Sequence, residues 1–496
     1  MRLETSGTRP PGSAGQSGEL ERRFTLPFPR LRTSERKLLL VVVDAVIINA
    51  ALLLAWRLGS DLDATVLDLL APYKWYITLT IVWYLSALLF DLYDLARAAS
   101  TYNIVRNSLA AVLVTVLVYS LIPSLSPPLL RRTLIFLFTG FAVVGIVGWR
   151  IAYVQLFVQP WFTQRALVVG AGWAGRTLVQ EMALAPQDAN PYRGTGYELL
   201  GFIDDDPNYE GTDVDGIPVL GGQEVLIPMA EALQVEEVIV AITHRHAMAD
   251  ELFDDLLRCR ELGIHVSPMS TVYERLLGRV PVLHVGRDLF TALPTKDESS
   301  YRLYRIFKRG VDLLSASVGL LVLAVVAPLI ALVNAVTSPG PLFYDQERVG
   351  KGGRTFGCYK FRSMIPDAEA DTGAVWAQSD DDRITPVGRV IRRARIDELP
   401  QFINVLKGDM SLIGPRPERP QFVETLSHTI PFYRARHAMR PGITGWAQVQ
   451  YDYGSSEEDS RIKLEYDLYY VKHAGPMLDL RILLQTVSVM LQFKGR

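Results

Sequence analysis

Four long apolar runs with few charged residues dominate the N-terminal third of the sequence. They cover residues 38–56, 75–90, 104–122 and 134–149, and the last run continues through residue 157. Each run is close to the roughly 20 residues that a helix needs to cross a bilayer. Helices buried in a soluble core are the alternative. Four successive runs so poor in charge favour a four-helix transmembrane bundle over residues 36–160.

The composition favours an α/β multi-domain membrane protein. The chain has 496 residues, too many for one ordinary domain, and its mean hydropathy of +0.16 is high for a soluble protein. Its 51 basic and 53 acidic residues nearly balance, which argues against a nucleic-acid partner. Two distant cysteines, Cys259 and Cys358, predict a reduced environment without disulfides. Residues 1–35 are predicted to be a disordered cytosolic tail.

Basic residues predict the orientation of the bundle. The first apolar run is preceded by four of them, Arg30, Arg32, Arg36 and Lys37. The loop that follows this run is acidic, whereas Arg150 and Arg165 close the fourth run. Because cytoplasmic loops carry an excess of Lys and Arg, both ends of the bundle are predicted to lie in the cytoplasm.

A strand–turn–helix pattern follows the apolar runs. Residues 166–169 form a short apolar run, and Gly170, Gly172 and Gly175 lead from it into helix-like sequence. Such a turn can place backbone amides against phosphate. An acidic residue in 204–206 follows a second strand-like run and would meet a ribose hydroxyl. With a third strand at 238–242, the pattern predicts a Rossmann-like α/β domain over residues 163–290.

The function of this middle domain has two interpretations. Gly170, Gly172 and Gly175 form a possible accessory nucleotide site, or they serve only the close packing of helix against strand. Within residues 163–290 the sequence has no Tyr-x-x-x-Lys pair, which argues against a nicotinamide enzyme. A regulatory or vestigial nucleotide site is therefore the favoured hypothesis.

A fifth apolar run ends near residue 336 and has basic residues on both sides. Its lead-in interleaves aromatic residues with Arg302, Arg305, Lys308 and Arg309, which suits anionic headgroups. A simple spanning helix would put the two flanks on opposite sides of the membrane, yet both are basic. Pro328 removes a backbone hydrogen bond and can bend a helix. The pattern predicts a re-entrant membrane helix over residues 300–336, interrupted near Ala327 and Pro328.

Charged residues and turn formers are closely spaced in the C-terminal third. Asp397 and Glu398 lie in RRARIDELPQ (392–401), which is followed by NVLKGDMS (404–411) and GPRPE (414–418). Two blocks precede them, GPLFYDQERVG (340–350) and FGCYKFRSM (356–364). A carboxylate pair among arginines suits a nucleophile that attacks phosphorus while guanidinium groups hold the phosphate oxygens. A solvated charge run is the alternative.

Together, these blocks closely resemble the polyisoprenyl-phosphate hexose-1-phosphate transferases, from about Tyr304 to the C-terminus. The resemblance implies an enzyme of the bacterial inner membrane whose small α/β catalytic domain, residues 337–496, faces the cytoplasm. The implied reaction moves hexose 1-phosphate from a UDP-hexose to undecaprenyl phosphate and releases UMP. It would start the synthesis of an exopolysaccharide, capsule or O-antigen. A re-entrant membrane helix is implied as well.

The resemblance also implies roles for individual residues. Asp397 would be the nucleophile that carries the phosphosugar, with Glu398 as its partner in catalysis. Mg²⁺ is the implied cofactor, with Asp397 and Glu369 as its ligands. Phosphate and substrate contacts are implied for five residues, Lys360, Arg362, Arg392, Arg416 and Asp467.

Partners and competing functions follow from the same resemblance. Besides UDP-hexose, undecaprenyl phosphate and membrane lipid, a homodimer and later enzymes of glycan assembly are expected partners. One alternative is a membrane scaffold for glycan assembly that has lost catalysis, which the intact Lys360, Asp397-Glu398 and Arg416 set disfavours. The other is a membrane-tethered nucleotide-sugar oxidoreductase centred on Gly170–Gly175.

Overall fold

A computed structural model provides the three-dimensional structure. It describes residues 33–59, 73–90, 92–93, 101–122, 132–157, 164–183, 197–242, 248–283, 298–365, 368, 383–451, 454 and 456–491. The predicted tail over residues 1–35 therefore lies almost entirely outside the described residues.

Four helices form the N-terminal part of the described chain. They coincide with the four apolar runs and are α1 (Thr33–Gly59), α2 (Tyr73–Leu89), α3 (Thr101–Ser120) and α4 (Arg132–Phe157). Their apolar side chains share one buried cluster that includes Ile48, Trp83 and Phe138. The buried Arg150 of α4 pairs with Asp44 of α1 and donates to the carbonyl of Leu92 over 3.0 Å. This contact joins the first and fourth helices.

Three described helices are long and apolar enough to cross a membrane. Their candidate spans are Lys37–Gly59 in α1, Thr133–Gln155 in α4 and Arg302–Thr337 further along the chain. Helix α3 contains a shorter apolar stretch, Ile104–Ser120, and α2 has 17 residues. The helices predicted from the sequence are thus present, while four membrane spans remain a prediction.

The middle domain is built on a six-stranded sheet in the order β3-β4-β2-β1-β5-β6. Its pairs β4-β2, β2-β1, β1-β5 and β5-β6 are parallel, and only β3 is antiparallel to its neighbour. The three strands predicted from the sequence are confirmed as β1, β2 and β5. The strands are β1 (Gln164–Val169), β2 (Tyr197–Ile203), β3 (Asp213–Val214), β4 (Ile217–Gly221), β5 (Glu237–Val240) and β6 (His265–Pro268).

Helices pack on this sheet because parallel strands must be covered on both faces. One apolar cluster lies on each face of the sheet. Successive strand residues alternate between the two clusters, so Val168 lies on one face and Val169 on the other. The helices are α5 (Trp173–Ala183), α6 (Leu226–Ala232), α7 (Asp250–Glu261) and α8 (Met269–Leu277).

A 40-residue helix, α9 (Glu298–Thr337), leads into the C-terminal domain. It continues through Pro328, so the interruption predicted near Ala327 and Pro328 is not observed. Parts of α9 well apart along the helix contact the C-terminal domain. Asp312 accepts hydrogen bonds from the Ser411 hydroxyl and the Leu412 amide, both 2.8 Å long. Near the other end, Arg362 donates to the carbonyl of Ser338.

The described part of the C-terminal domain combines a hairpin, a short parallel strand pair and six α-helices. Its strands are β7 (Phe343–Val349) and β8 (Thr355–Phe361), which are antiparallel, and β9 (Ser411–Ile413) and β10 (Gly442–Thr444), which are parallel. Its helices are α10 (Pro386–Arg393), α11 (Gln401–Lys407), α12 (Pro420–Thr429), α13 (Trp446–Gln450), α14 (Glu457–His473) and α15 (Pro476–Leu491).

The middle and C-terminal domains are in direct contact. Arg279 forms ion pairs with Glu181 of its own domain at 2.5 Å and with Glu465 of α14 at 3.4 Å. Val280 and Val282 belong to an apolar cluster whose other members come from the C-terminal domain. Lys472 pairs with Glu274 at 2.8 Å. These contacts place residues that precede α9 directly against residues that follow it.

Candidate active site

Asp397 and Glu398 lie in a single 3-10 turn, Ile396–Glu398, between α10 and α11. Thr385 caps the start of α10 by accepting a hydrogen bond from the amide of Gly388 at 2.9 Å. At the other end, Arg395 adopts a left-handed conformation with φ of 54°. This conformation is uncommon for a residue with a side chain, and it turns the backbone sharply into the 3-10 turn. Successive side chains diverge by about 120° in such a turn, so the two carboxylates point in different directions.

Among the described residues, the cations that pair with the dyad bind Glu398 and not Asp397. One of the Glu398 oxygens accepts a hydrogen bond from Arg416 at 2.7 Å and lies 3.7 Å from the Lys360 ammonium. The Glu398 side chain is buried. A buried carboxylate requires paired cations, and the structure supplies them from β8 and from the loop after β9. Asp397, its neighbour, is half-buried.

The two carboxyl groups have opposite pKa shifts. Burial raises the pKa of Asp397 to about 6, and the neighbouring Glu398 charge adds to this, while Lys360, Arg416 and Arg392 oppose it. Burial would also raise the pKa of Glu398, but Arg416 and Lys360 outweigh it and lower that pKa. We therefore expect Glu398 to remain ionised while Asp397 accepts a proton near the lower end of the neutral range.

The loop that carries Arg416 is held by two other arginines. Arg436 donates a 3.0 Å hydrogen bond to the carbonyl of Arg416 itself. Arg348 donates a 3.1 Å hydrogen bond to the carbonyl of Pro417. Both donors come from elements remote in sequence, β7 and the 3-10 helix Tyr433–Ala438. The position of the Arg416 guanidinium therefore depends on contacts behind the loop.

Lys360, Arg392 and Arg416 surround the dyad, but two other predicted residues face elsewhere. Arg362 is buried and donates to the carbonyls of Ser338 and Pro339 at the end of α9. Asp467 has only 1% of its surface exposed and pairs with Arg436 at 2.6 Å. Both side chains are thus engaged by protein partners, and the substrate contacts assigned to them stay predictions.

The predicted metal ligands are resolved only in part. Among the described residues, no group of three or more His, Cys, Asp or Glu side chains is arranged to hold a metal ion. Glu369, the second predicted ligand, lies outside them. Mg²⁺ usually takes one or two carboxylates and completes its shell with water and substrate phosphate oxygens. Asp397 fits the role of a single carboxylate ligand, because Lys360 and Arg416 form their ion pairs with Glu398.

The glycine turn of the middle domain has clear packing reasons. Gly170 has a φ of 106°, and a Cβ on Gly175 would come within 2.9 Å of the Phe202 ring. Around Gly172 a Cβ would have no neighbour within 4 Å. Asp204, whose position suggested a ribose contact, accepts a 2.6 Å hydrogen bond from the Ala171 amide. Backbone conformation therefore accounts for Gly170 and packing for Gly175, and nucleotide binding remains a prediction.

Sequence reasoning missed several residues that organise the site. Arg436 and Tyr433 form a buried hydrogen bond of 2.8 Å behind the Arg416 loop, and Asp312 anchors α9 to β9. Arg436 also contacts Arg416, 20 residues away, and Asp312 contacts Leu412, 100 residues away. No local motif marks them. An acid such as Asp312 at the start of an apolar run is the one signal that pointed to a buried polar contact.

Comparison with known families matches two parts of the chain. Residues 303–493 match the bacterial sugar transferase family, and residues 88–258 match a CoA-binding domain. The first match contains the dyad, its cations and most of α9. The second covers the later N-terminal helices and much of the middle domain.

Several characterised proteins are similar over longer stretches. A UDP-N-acetylgalactosamine-undecaprenyl-phosphate N-acetylgalactosaminephosphotransferase from Aeromonas hydrophila is 41% identical over 305 residues, covering 60% of this chain and 68% of that protein. A UDP-glucose:undecaprenyl-phosphate glucose-1-phosphate transferase from Xanthomonas campestris is 29% identical over 489 residues, covering 93% and 96%. One of the same description from Escherichia coli is 32% identical over 350 residues, covering 66% and 70%.

Proposed function

This chain belongs to the bacterial sugar transferase family, and from that premise we propose that it transfers hexose 1-phosphate from a UDP-hexose to undecaprenyl phosphate. The products are undecaprenyl-diphosphate-hexose and UMP, and the lipid product starts the synthesis of an exopolysaccharide, capsule or O-antigen. The observation that carries the proposal is the Asp397-Glu398 dyad with Lys360, Arg392 and Arg416 around it. Relatives whose names specify this class of reaction support it.

The transfer proceeds in two displacements at phosphorus. The Asp397 carboxylate attacks the β-phosphorus of the UDP-sugar, the bond to the bridging oxygen breaks, and UMP leaves with that oxygen. An acyl phosphate then links Asp397 to the sugar. A phosphate oxygen of undecaprenyl phosphate attacks the same phosphorus, which restores the carboxylate and forms the lipid diphosphate. Because the two anionic substrates react one after the other, UDP-hexose and undecaprenyl phosphate need not be bound at the same time.

The surrounding residues have separate tasks in this proposal. Arg416 keeps Glu398 ionised and oriented, which agrees with their 2.7 Å contact. Lys360 and Arg392 neutralise the phosphate oxygens next to Asp397, since their charges both act on that carboxyl group. Asp397 would help to hold Mg²⁺, which would supply positive charge against the diphosphate and the departing UMP. Glu369 stays a second proposed ligand.

We propose that α9, although helical throughout, bends at Pro328, so that it enters and leaves the membrane on the cytoplasmic face. The ion pair of Arg279 with Glu465 joins domains that precede and follow α9, which supports a common side for both. Exposed apolar residues along α9, including Leu321, Val325 and Leu332, support its insertion into lipid. The site would then lie at the inner surface of the inner membrane, where a soluble UDP-hexose and a lipid phosphate both arrive.

An accessory role is proposed for the middle domain, since the proposed phosphoryl-transfer residues all lie outside it. A homodimer and association with later glycan-assembly enzymes are proposed as well. The two competing functions make different predictions. A scaffold without catalysis would release no UMP, and an oxidoreductase centred on Gly170–Gly175 would require a nicotinamide cofactor.

The deciding experiment measures UMP release by purified protein in detergent with undecaprenyl phosphate and a panel of UDP-sugars. UDP-glucose, UDP-galactose and UDP-N-acetylgalactosamine belong in the panel because relatives named for glucose and for N-acetylgalactosamine are both similar to this chain. Wild-type protein should gain the mass of one sugar phosphate at Asp397 when the lipid is omitted. Asp397→Asn should lose both UMP release and adduct, while a folded Glu424→Gln surface control keeps both. Full activity of Asp397→Asn would exclude the covalent step.

A further inference from the structure

Arg436 lies behind the Arg416 loop and is almost fully enclosed by protein. Only 6% of its surface is exposed, and its guanidinium makes three described contacts. It pairs with Asp467 at 2.6 Å and donates to the Tyr433 hydroxyl at 2.8 Å and to the Arg416 carbonyl at 3.0 Å. Burying such an ion pair is costly, so it stabilises a fold only when its geometry satisfies nearly every donor.

One contact of Arg436 leads directly to the proposed active site. The carbonyl that it binds belongs to Arg416, whose guanidinium in turn pairs with Glu398 at 2.7 Å. A guanidinium has several donors in a fixed plane and can hold a carboxylate and a carbonyl at once. A lysine could keep the ion pair with Asp467 but could not reproduce both contacts in that plane.

We infer that Arg436, held by Asp467, is a positioning residue that sets the place of Arg416 beside Glu398. Asp467 therefore acts through Arg436 and touches no substrate. The inference rests on the proposed function, because the position of Arg416 matters only if the dyad is catalytic. Displacement of Arg416 would leave the Glu398 charge less neutralised, and misplacement by about 1 Å at a reacting centre can cost about 100-fold in rate.

A matched control lies on the same helix. Glu465 is, like Asp467, 1% exposed and paired with arginines, but its partners are Arg279 and Arg461 at the domain contact. Glu465→Gln thus removes a buried charge of the same kind two residues away without touching the Arg416 loop. A difference in kcat between Asp467→Asn and Glu465→Gln therefore separates the positioning of Arg416 from a general loss of stability.

The experiment compares wild type, Arg436→Lys, Asp467→Asn and Glu465→Gln for UMP release and thermal unfolding. Arg436→Lys and Asp467→Asn should lower kcat about 10- to 100-fold with KM changed less than about 3-fold. The acid limb of kcat against pH should move to higher pH, because a displaced Arg416 no longer lowers the pKa values of the dyad. Glu465→Gln should keep kcat within about 3-fold and leave the limb in place.

Each remaining outcome has a defined meaning. Equal loss of kcat in Glu465→Gln, or an unmoved acid limb in Arg436→Lys, would overturn the positioning role. If Asp467→Asn does not fold, Tyr433→Phe, which removes one hydrogen bond to Arg436, must show a smaller change of the same kind. Failure of the wild type itself to release UMP would instead refute the proposed function, so the two failures are distinguishable.

Discussion

Changing Glu398 to Gln should move the acid limb of the rate–pH profile to lower pH. The nucleophile is ionised Asp397, whose pKa is raised to about 6 by burial and by the neighbouring Glu398 charge. UMP release by the wild type should therefore rise as the pH passes through about 6. Gln removes the negative neighbour, and the Asp397 proton is lost at lower pH because Lys360 and Arg416 remain.

The size of the shift follows from Coulomb's law. Carboxylates that diverge by about 120° in one 3-10 turn are roughly 7 Å apart. Two unit charges at that distance, with an effective dielectric constant of about 20–40, interact by about 1–2 kcal/mol. That energy corresponds to a shift of about one to two pH units. Gln also keeps an oxygen that can accept the Arg416 hydrogen bond, so the cation should stay in place.

Single-turnover UMP release between about pH 4.5 and 8 measures the limb. Where turnover of Glu398→Gln is slow, the same limb is obtained from the mass of the adduct formed at fixed time. Glu424→Gln, an exposed carboxyl group on α12, is the control and should leave the profile unchanged. The acid limb could instead stay at its wild-type position or move to higher pH. Either result would refute the view that the limb reports ionisation of Asp397 and that the Glu398 charge helps to raise the Asp397 pKa.

Three other expectations concern the rest of the chain. Cysteines introduced at the exposed Glu210 and Glu424 should react with a membrane-impermeant reagent from the same side of the membrane. Both native cysteines are buried and should not react. Labelling from opposite sides would exclude a re-entrant α9. Gly175→Val should lower the stability of the middle domain by a few kcal/mol, whereas Gly172→Val should have little effect in thermal unfolding, because only the first meets Phe202. A protein beginning at Lys296 should retain UMP release. It should unfold more easily, because it lacks the buried Val280 and Val282, whose loss costs about 3–6 kcal/mol. A folded but inactive truncation would give the middle domain a catalytic role.

Local patterns predicted most elements of the fold. The four apolar runs coincide with α1–α4, and the strands at 166–169 and 238–242 with β1 and β5, because hydrophobic runs and turn residues act over a few positions. The unbroken course of α9 through Pro328 was not predicted. Packing against neighbouring elements and altered local hydrogen bonds can keep a helix continuous through a proline. These tertiary contacts cannot be recognised in the sequence.

The surroundings of the dyad were predictable only where motifs mark them. Lys360, Arg392 and Arg416 lie near Asp397 and Glu398, as their ion pairs and charges indicate, while the roles assigned to them stay predictions. The burial of Asp467 and Arg362 was missed, because a charged residue in a helix or strand shows no local sign of a distant partner. Contacts between β7, the 3-10 helix Tyr433–Ala438 and the Arg416 loop depend on tertiary structure alone.

The shared apolar cluster of the two domains has a consequence for synthesis on the ribosome. Val280 and Val282 leave the ribosome together with the middle domain, but the last members of their cluster, Leu464 and Leu468, follow about 190 residues later. At about 5–20 residues per second, translation of that interval takes about 10–40 s. During this time a hydrophobic edge of the nascent chain has no permanent cover while α9 reaches the membrane. Holding chaperones and early insertion of α9 would therefore protect the yield of folded protein, and stalled chains ending before Leu464 should be cleaved readily near Val282 by added protease.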